Sequence, residues 1–191
     1  MNDSDQADIL SPLSDLDLAG LLLSDMHQDL AGKVSRYRQL VDLSSSLGSD
    51  GAIITGGETS IAHWGEARSS FVHGNFAATV LLAQGLAEHL LASYLSIGIE
   101  AEPLPERISF RETLRRCRAR NVVGEKDESD LHRLMSLRNP LSHYRSINDP
   151  VNLSRRAMTD RISATEHLGR DATFAISMAV RLLSLPAFRI G

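Results

Sequence analysis

The sequence predicts an all-α fold, a helical bundle with an N-terminal helical extension. Three observations carry this. Apolar residues recur at spacings of three and four over most of the chain, the period of a helix with one buried face. No apolar–polar alternation of strand type runs longer than a few residues. The joints between periodic runs are short and rich in Gly, Pro, Ser, Asn and Asp. With 191 residues, 42% of them hydrophobic, one bundle with an extension is the natural size. The expected division is residues 1–60 for the extension and its Gly/Ser-rich loop, and 61–191 for the bundle.

The elements follow in order. Residues 1–12 are polar and acidic, and a frayed start is expected. From Leu13 to Leu47, residues such as Leu18, Leu21, Leu22, Val34, Tyr37 and Val41 make one or two amphipathic helices, with Gly32 as a candidate break. "SSSLGSDGAIITGGETS" reads as a loop with room for a short strand at Ala52–Thr55. It lacks the lysine and following helix of a phosphate loop. A long helix is expected from near Thr59–Ala67 to about Ile97, apolar on nearly every side and therefore packed on several sides. Gly98 is its expected stop. "EAEPLPER" is a connector. Ser109, with Glu112 three residues on, has the form of a capping box for a helix over Phe110–Val122. "VGEKDES" reads as a turn, and a helix from Asp130 to about Leu137 follows, capped by Asp127 or Ser129. Pro140 predicts a kink or joint there, with Asn139 as a candidate cap of a new start. The last helices are expected over Leu153–Leu168 and Asp171–Leu185.

Charge is uneven. Residues 1–30 hold seven Asp and no Lys or Arg, whereas residues 107–145 hold ten basic residues against five acids, a net +5. The whole chain is at −4, which argues against coating nucleic acid by charge alone and leaves room for a local basic site. The single Cys117 permits no internal disulfide and fits a reducing compartment. No basic segment followed by an apolar run opens the chain, and the apolar stretch Phe76–Leu95 is interrupted by Gln84, Glu88 and His89. A cytoplasmic protein without a membrane span is expected. The seven histidines show no HExxH spacing, so no metal site and no cofactor are expected.

Three arginine–histidine pairs share a loose spacing: Arg68 with His73, Arg138 with His143, and Arg161 with His167. With 18 Arg and 7 His in the chain, chance supplies about 0.7 matches at any one spacing, so spacing selects nothing. Context does. On a straight helix, five residues separate two side chains by about 140° and six by about 240°. Only "RNPLSHYR" places its pair across a proline, where a break lets both side chains reach one volume, beside Asn139.

Here the chain resembles a HEPN domain, the helical "higher eukaryotes and prokaryotes nucleotide-binding" superfamily. Its hallmark is Arg, a polar residue that is often Asn, then His after four to six intervening residues. "RNPLSH" supplies Arg138, Asn139 and His143. "NFAATVLLAQGLAEHLLASYL", with Glu88, resembles the long helix of the family. "FRETLRRCRARNVV" resembles the amphipathic helix after it, "DESDLHRLMSLRNPLSHY" the motif helix, and "ATFAISMAVRLL" the closing helix. The likeness covers roughly residues 66–185.

The resemblance implies a metal-independent endoribonuclease of toxin or defence type. RNA is the substrate, two copies bring their motifs together, and an antitoxin-like protein is a possible partner. Arg138, Asn139 and His143 would be catalytic. A histidine can take or give a proton, and an arginine offers planar charged donors to phosphate oxygens. Arg115, Arg118, Tyr144 and Arg145 are the expected substrate-binding residues. Tyr144 has core packing, and Arg138 pairing with Glu88, as bland alternatives. One toxin branch carries a tyrosine two residues after the histidine. Here Tyr144 follows directly and Arg145 takes that place. Other HEPN domains serve only as protein- or nucleotide-binding modules, and that alternative stays open.

Overall fold

The computed structural model describes residues 13–48, 51–97, 101 and 103–189. The expectations at residues 1–12 and at Gly98 lie outside these. Among the described residues there are eight α-helices and no strand.

The bundle is built around α4 (Phe76–Ser96), whose Val80, Leu86, Leu90, Leu91 and Leu95 are fully or almost fully buried. It packs against α3 (Gly57–His73), α5 (Phe110–Ala119), α6 (Glu125–Ser142) and α8 (Ala164–Leu183). A helix enclosed on that many sides needs apolar residues all round, which is why this segment has the length and hydropathy of a membrane span. α8 adds Ala172, Ala175, Ile176, Ala179 and Leu182 to the same core. α2 (Leu30–Ser44) packs on α3 and α8, while α1 (Asp15–His27) buries none of its residues. α7 (Leu153–Asp160) is a short helix against α8.

Several boundaries differ from the sequence reading. The single long helix expected from about residue 60 to Ile97 is two. Gly74, at φ 81°, ends α3, and α4 begins at Phe76. The Gly74 amide donates to the Phe71 carbonyl and the Asn75 amide to that of Ser70, a glycine-terminated helix end. The break between the first two helices falls at Gln28–Asp29, with Asp29 left-handed at φ 53°, and Gly32 lies inside α2. The expected strand at Ala52–Thr55 is a single bridge from Ala52 to Arg189. The helix placed over Leu153–Leu168 stops at Asp160, and Arg161 takes a left-handed conformation. Ser109 caps α5 as expected, its hydroxyl accepting the Glu112 amide at 3.2 Å.

The largest correction concerns α6. Residues 125–129, expected as turn and cap, are already helical, and α6 starts at Glu125. The Gly124 amide donates to Asp127 at 3.3 Å, and the same carboxylate takes two hydrogen bonds from Arg181 of α8, at 2.9 and 3.2 Å. That pairing anchors the start of α6 to the core and favours an acid near a helix N-terminus. Pro140 makes neither a joint nor a new start. The helix runs through it to Ser142, and Asn139 caps nothing. Pro140 sits in the last turn, so the one backbone bond it cannot donate, to the Ser136 carbonyl, is lost with only two helical residues beyond it.

Candidate active site

The end of α6 brings Arg138 and His143 together. His143 is the residue after the helix, and its backbone swings to φ −132°, ψ 138° while its amide still donates to the Asn139 carbonyl at 3.1 Å. On a continuing helix the two side chains would point about 140° apart. Leaving the helix turns the imidazole back along the last turn, and Arg138 Nη1 stands 3.5 Å from His143 Nε2. The guanidinium has only donors, so this contact is a hydrogen bond only in a tautomer whose Nε2 carries no proton. Ser142 Oγ lies 3.2 and 3.4 Å from the carbonyls of Arg138 and Asn139, a further donor in the last turn beside the backbone amides, His143 among them.

This pair faces solvent. His143 is exposed, and Arg138 and Asn139 are half-buried. Arg138 has no carboxylate partner among the described residues, so the alternative of an anchoring pair with Glu88 is not what the side chain does. Tyr144 is 93% exposed and is not part of the core. Arg145 is tied to the loop. Its Nη1 lies 3.8 Å from Asp149, its carbonyl accepts the Asn152 side chain at 2.9 Å, and its Nε is buried with no hydrogen bond.

Arg115 and Arg118 do not join this group. They lie on α5, beside the opposite end of α6. Arg118 approaches Glu128 at 3.5 Å, and Arg115 holds Glu112 through two bonds of 2.7 and 2.6 Å. Arg116 reaches the same carboxylate, and the two guanidinium groups bring the Glu112 carboxyl down to about 2. Glu128 and Ser142 are 14 residues apart along α6, about 21 Å. A single small group cannot touch both ends.

A second polar group escaped the sequence reading. Arg156 of α7 donates to Asp171 of α8 at 2.7 and 3.1 Å, and its Nη2 lies 3.3 Å from His167 Nδ1. His167 Nε2 is 3.4 Å from Asp160. His167 and Asp171 are buried, one turn apart on α8. Arg156 also lines a small cleft of about 260 Å³ with Ser136, Leu137, Pro140, Pro150 and Val151, directly beside the last turn of α6. The visible signal was a histidine and an aspartate spaced i, i+4 inside an otherwise apolar face. The loose spacing of His167 and Arg161, already set aside on angular grounds, plays no part in this group; Arg161 is the left-handed residue that ends α7.

Other titratable groups lie elsewhere. His63 of α3 stacks near His89 of α4, ring centroids 5.4 Å apart, and burial foremost, then the neighbouring imidazole, lowers its pKa. Cys117 is buried under the Leu91 carbonyl, and desolvation pushes its thiol up to about 12, the opposite of an activated nucleophile. Among the described residues no group of three or more His, Cys, Asp or Glu gathers around one point. Comparison with protein families, curated proteins and solved structures finds no match to this chain.

Proposed function

We propose that the chain is an endoribonuclease of HEPN type, cutting RNA without a metal, in a cytoplasmic toxin or defence setting. One observation carries the reading: Arg138 Nη1 and His143 Nε2 stand 3.5 Å apart on an open surface at the end of α6. The arginine is free of carboxylate partners among the described residues, so its charge is available to a phosphate.

The chemistry is balanced as follows. When a bound phosphate draws Arg138 off the imidazole, the Nε2 lone pair of His143 is open to take the proton of a ribose 2′-hydroxyl. The 2′-oxygen bonds to the adjacent phosphorus as the bond from phosphorus to the 5′-oxygen breaks. That oxygen leaves with a proton from water or from the histidine of a second copy. The products are a 2′,3′-cyclic phosphate and a 5′-hydroxyl. Arg138 donates to the phosphate oxygens on which negative charge builds. Asn139, whose side chain has no hydrogen bond among the described residues, is placed to orient the same phosphate. Tyr144 offers an exposed ring on which a base can stack.

A second reading has its own support. Arg115, Arg118 and Arg145 each stand against an acid of this chain, which lowers the charge they offer to RNA. This favours a non-catalytic helical module that binds a protein or a nucleotide. Exposed ion pairs are weak and open easily, so they do not block RNA.

The test is cleavage of a mixed-sequence RNA by the purified chain in EDTA. His143→Ala is expected to lower the rate by about 10²- to 10⁴-fold. Its thermal unfolding is expected to stay that of the parent, because the side chain is exposed. No cleavage by the parent chain, or undiminished cleavage by the variant, rejects the enzyme and leaves the binding module.

A further inference from the structure

α1 presents leucines to water. Leu16 is 82% exposed, Leu22 63%, Leu23 58% and Met26 58%, and no residue of the helix is buried. At 100° per residue these four fall within about 120° of one another, an apolar face that only Asp15 enters, at the first residue of the helix. α2 carries a matching strip. Leu30, Val34, Tyr37 and Val41 are spaced four, three and four apart, the spacing of a coiled-coil seam, and each is 44–56% exposed. The strip runs along the flank of α2, about 90° round the helix from Leu40, which enters the core.

Such a helix does not stand by itself. Thirteen residues are too few for a stable isolated helix in water, and Gly20 in the middle weakens it further. The two faces together offer on the order of 1,000 Å² of apolar surface, against a few hundred on an ordinary monomer and about 800 Å² per partner in a stable complex. α1 does not cover the strip of its own α2, because both stay exposed. The left-handed Asp29, bonded to Arg36 at 2.8 Å, and Lys33, bonded to the Met26 carbonyl at 3.1 Å, fix the angle between the two helices.

We propose that α1 of one copy lies on the α2 strip of a second copy, forming a two-fold dimer through the N-terminal helices. Charge favours this pairing. α1 holds Asp15, Asp17 and Asp25 with no Lys or Arg, and the α2 strip is flanked by Lys33 and the exposed Arg38. A two-fold axis buries both faces twice in one contact and leaves neither open, so the assembly closes at two chains. The acidic α1 also repels the anionic surface of a membrane. This dimer stands on the exposed apolar faces and is independent of the RNA-cleaving reading.

The test is the mass of the full chain in solution at micromolar concentration, by light scattering after gel filtration. The parent is expected at twice 20.9 kDa. Leu22→Asp with Met26→Asp, and separately Val34→Asp with Tyr37→Asp, are each expected to give the mass of one chain. The helical circular dichroism of the bundle is expected to persist, because none of these side chains belongs to the core. Arg38→Glu is expected to raise the dissociation constant at least tenfold. A monomeric parent, whether or not it binds vesicles or another protein, overturns the proposal. So does a dimer that survives both double variants, or one that Tyr144→Asp breaks and the α1 variant does not. Loss of RNA cleavage with the dimer intact rejects the enzyme alone.

Discussion

Asp171 is 6% exposed and is the carboxylate that holds Arg156 in place beside the end of α6. Removing it leaves a three-quarters-covered guanidinium beside His167 with only Asp160, which makes no hydrogen bond to it, as counter-charge. Asp171→Ala is therefore expected to destabilise the fold by about 3 kcal/mol, most of it the cost of the stranded cation rather than the worth of the pair. Urea unfolding measures it, and a change under 1 kcal/mol is the result that contradicts this account. His63 acts in the opposite sense, as a group the fold prefers neutral. Its pKa is lowered by burial and by His89, so the unfolded chain binds a proton in a range where the folded chain does not. Its contribution is complete above the ordinary histidine value of 6.5 and is lost as pH falls through the lowered folded value. Stability measured from pH 8 down to 5 is expected to drop below pH 6.5, and His63→Asn is expected to flatten that drop.

At the scale of elements, the end of α3 decides where the central helix starts. Gly74 takes φ 81°, and a Cβ there would lie 3.3 Å from Arg36 Nη2. Gly74→Ala is expected to cost about 1–2 kcal/mol, the strain of a left-handed residue with a side chain. A thermal melt checks it. A gain in stability would mean that α3 and α4 tolerate one continuous path. The apolar period ran unbroken from Trp64 to Leu95, so the sequence reading missed this break. It arises because two amides find carbonyls in the last turn only when residue 74 turns left-handed. α6 shows the reverse. Its proline was read as a joint, and the helix passes through it because only two more helical residues follow. The conclusion drawn from that proline, that Arg138 and His143 can meet, agrees with the structure for a different reason: His143 lies outside the helix.

At the scale of the molecule, α4 is the axis and the ends of α6 divide the work. One end is tied into the core through Asp127 and Arg181, and the other is open at His143. The cluster of basic residues in the sequence therefore is not one patch. Arg118 stands by Glu128 near the start of α6, and Arg138 lies ten residues, about 15 Å, further along that helix. The charge asymmetry between the N-terminus and the rest also gains a location. The acidic, leucine-rich α1 stands clear of the bundle, while the basic α5 is part of it.

The sequence by itself determined the all-α class, the central apolar helix, the cap of α5 and the one arginine–histidine pair worth following. Each of these rests on local information: a helical period, a Ser–Glu spacing, a proline next to a motif. Tertiary structure alone decided that Tyr144 is exposed, that Arg115 and Arg118 sit away from His143, and that Arg156, His167 and Asp171 form a buried group. It also left the leucines of α1 uncovered. The physical reason is common to all four. Which groups meet across the bundle depends on where helices end and how they turn there, and at Gly74, Asp29, Arg161 and His143 a single backbone conformation sets that direction.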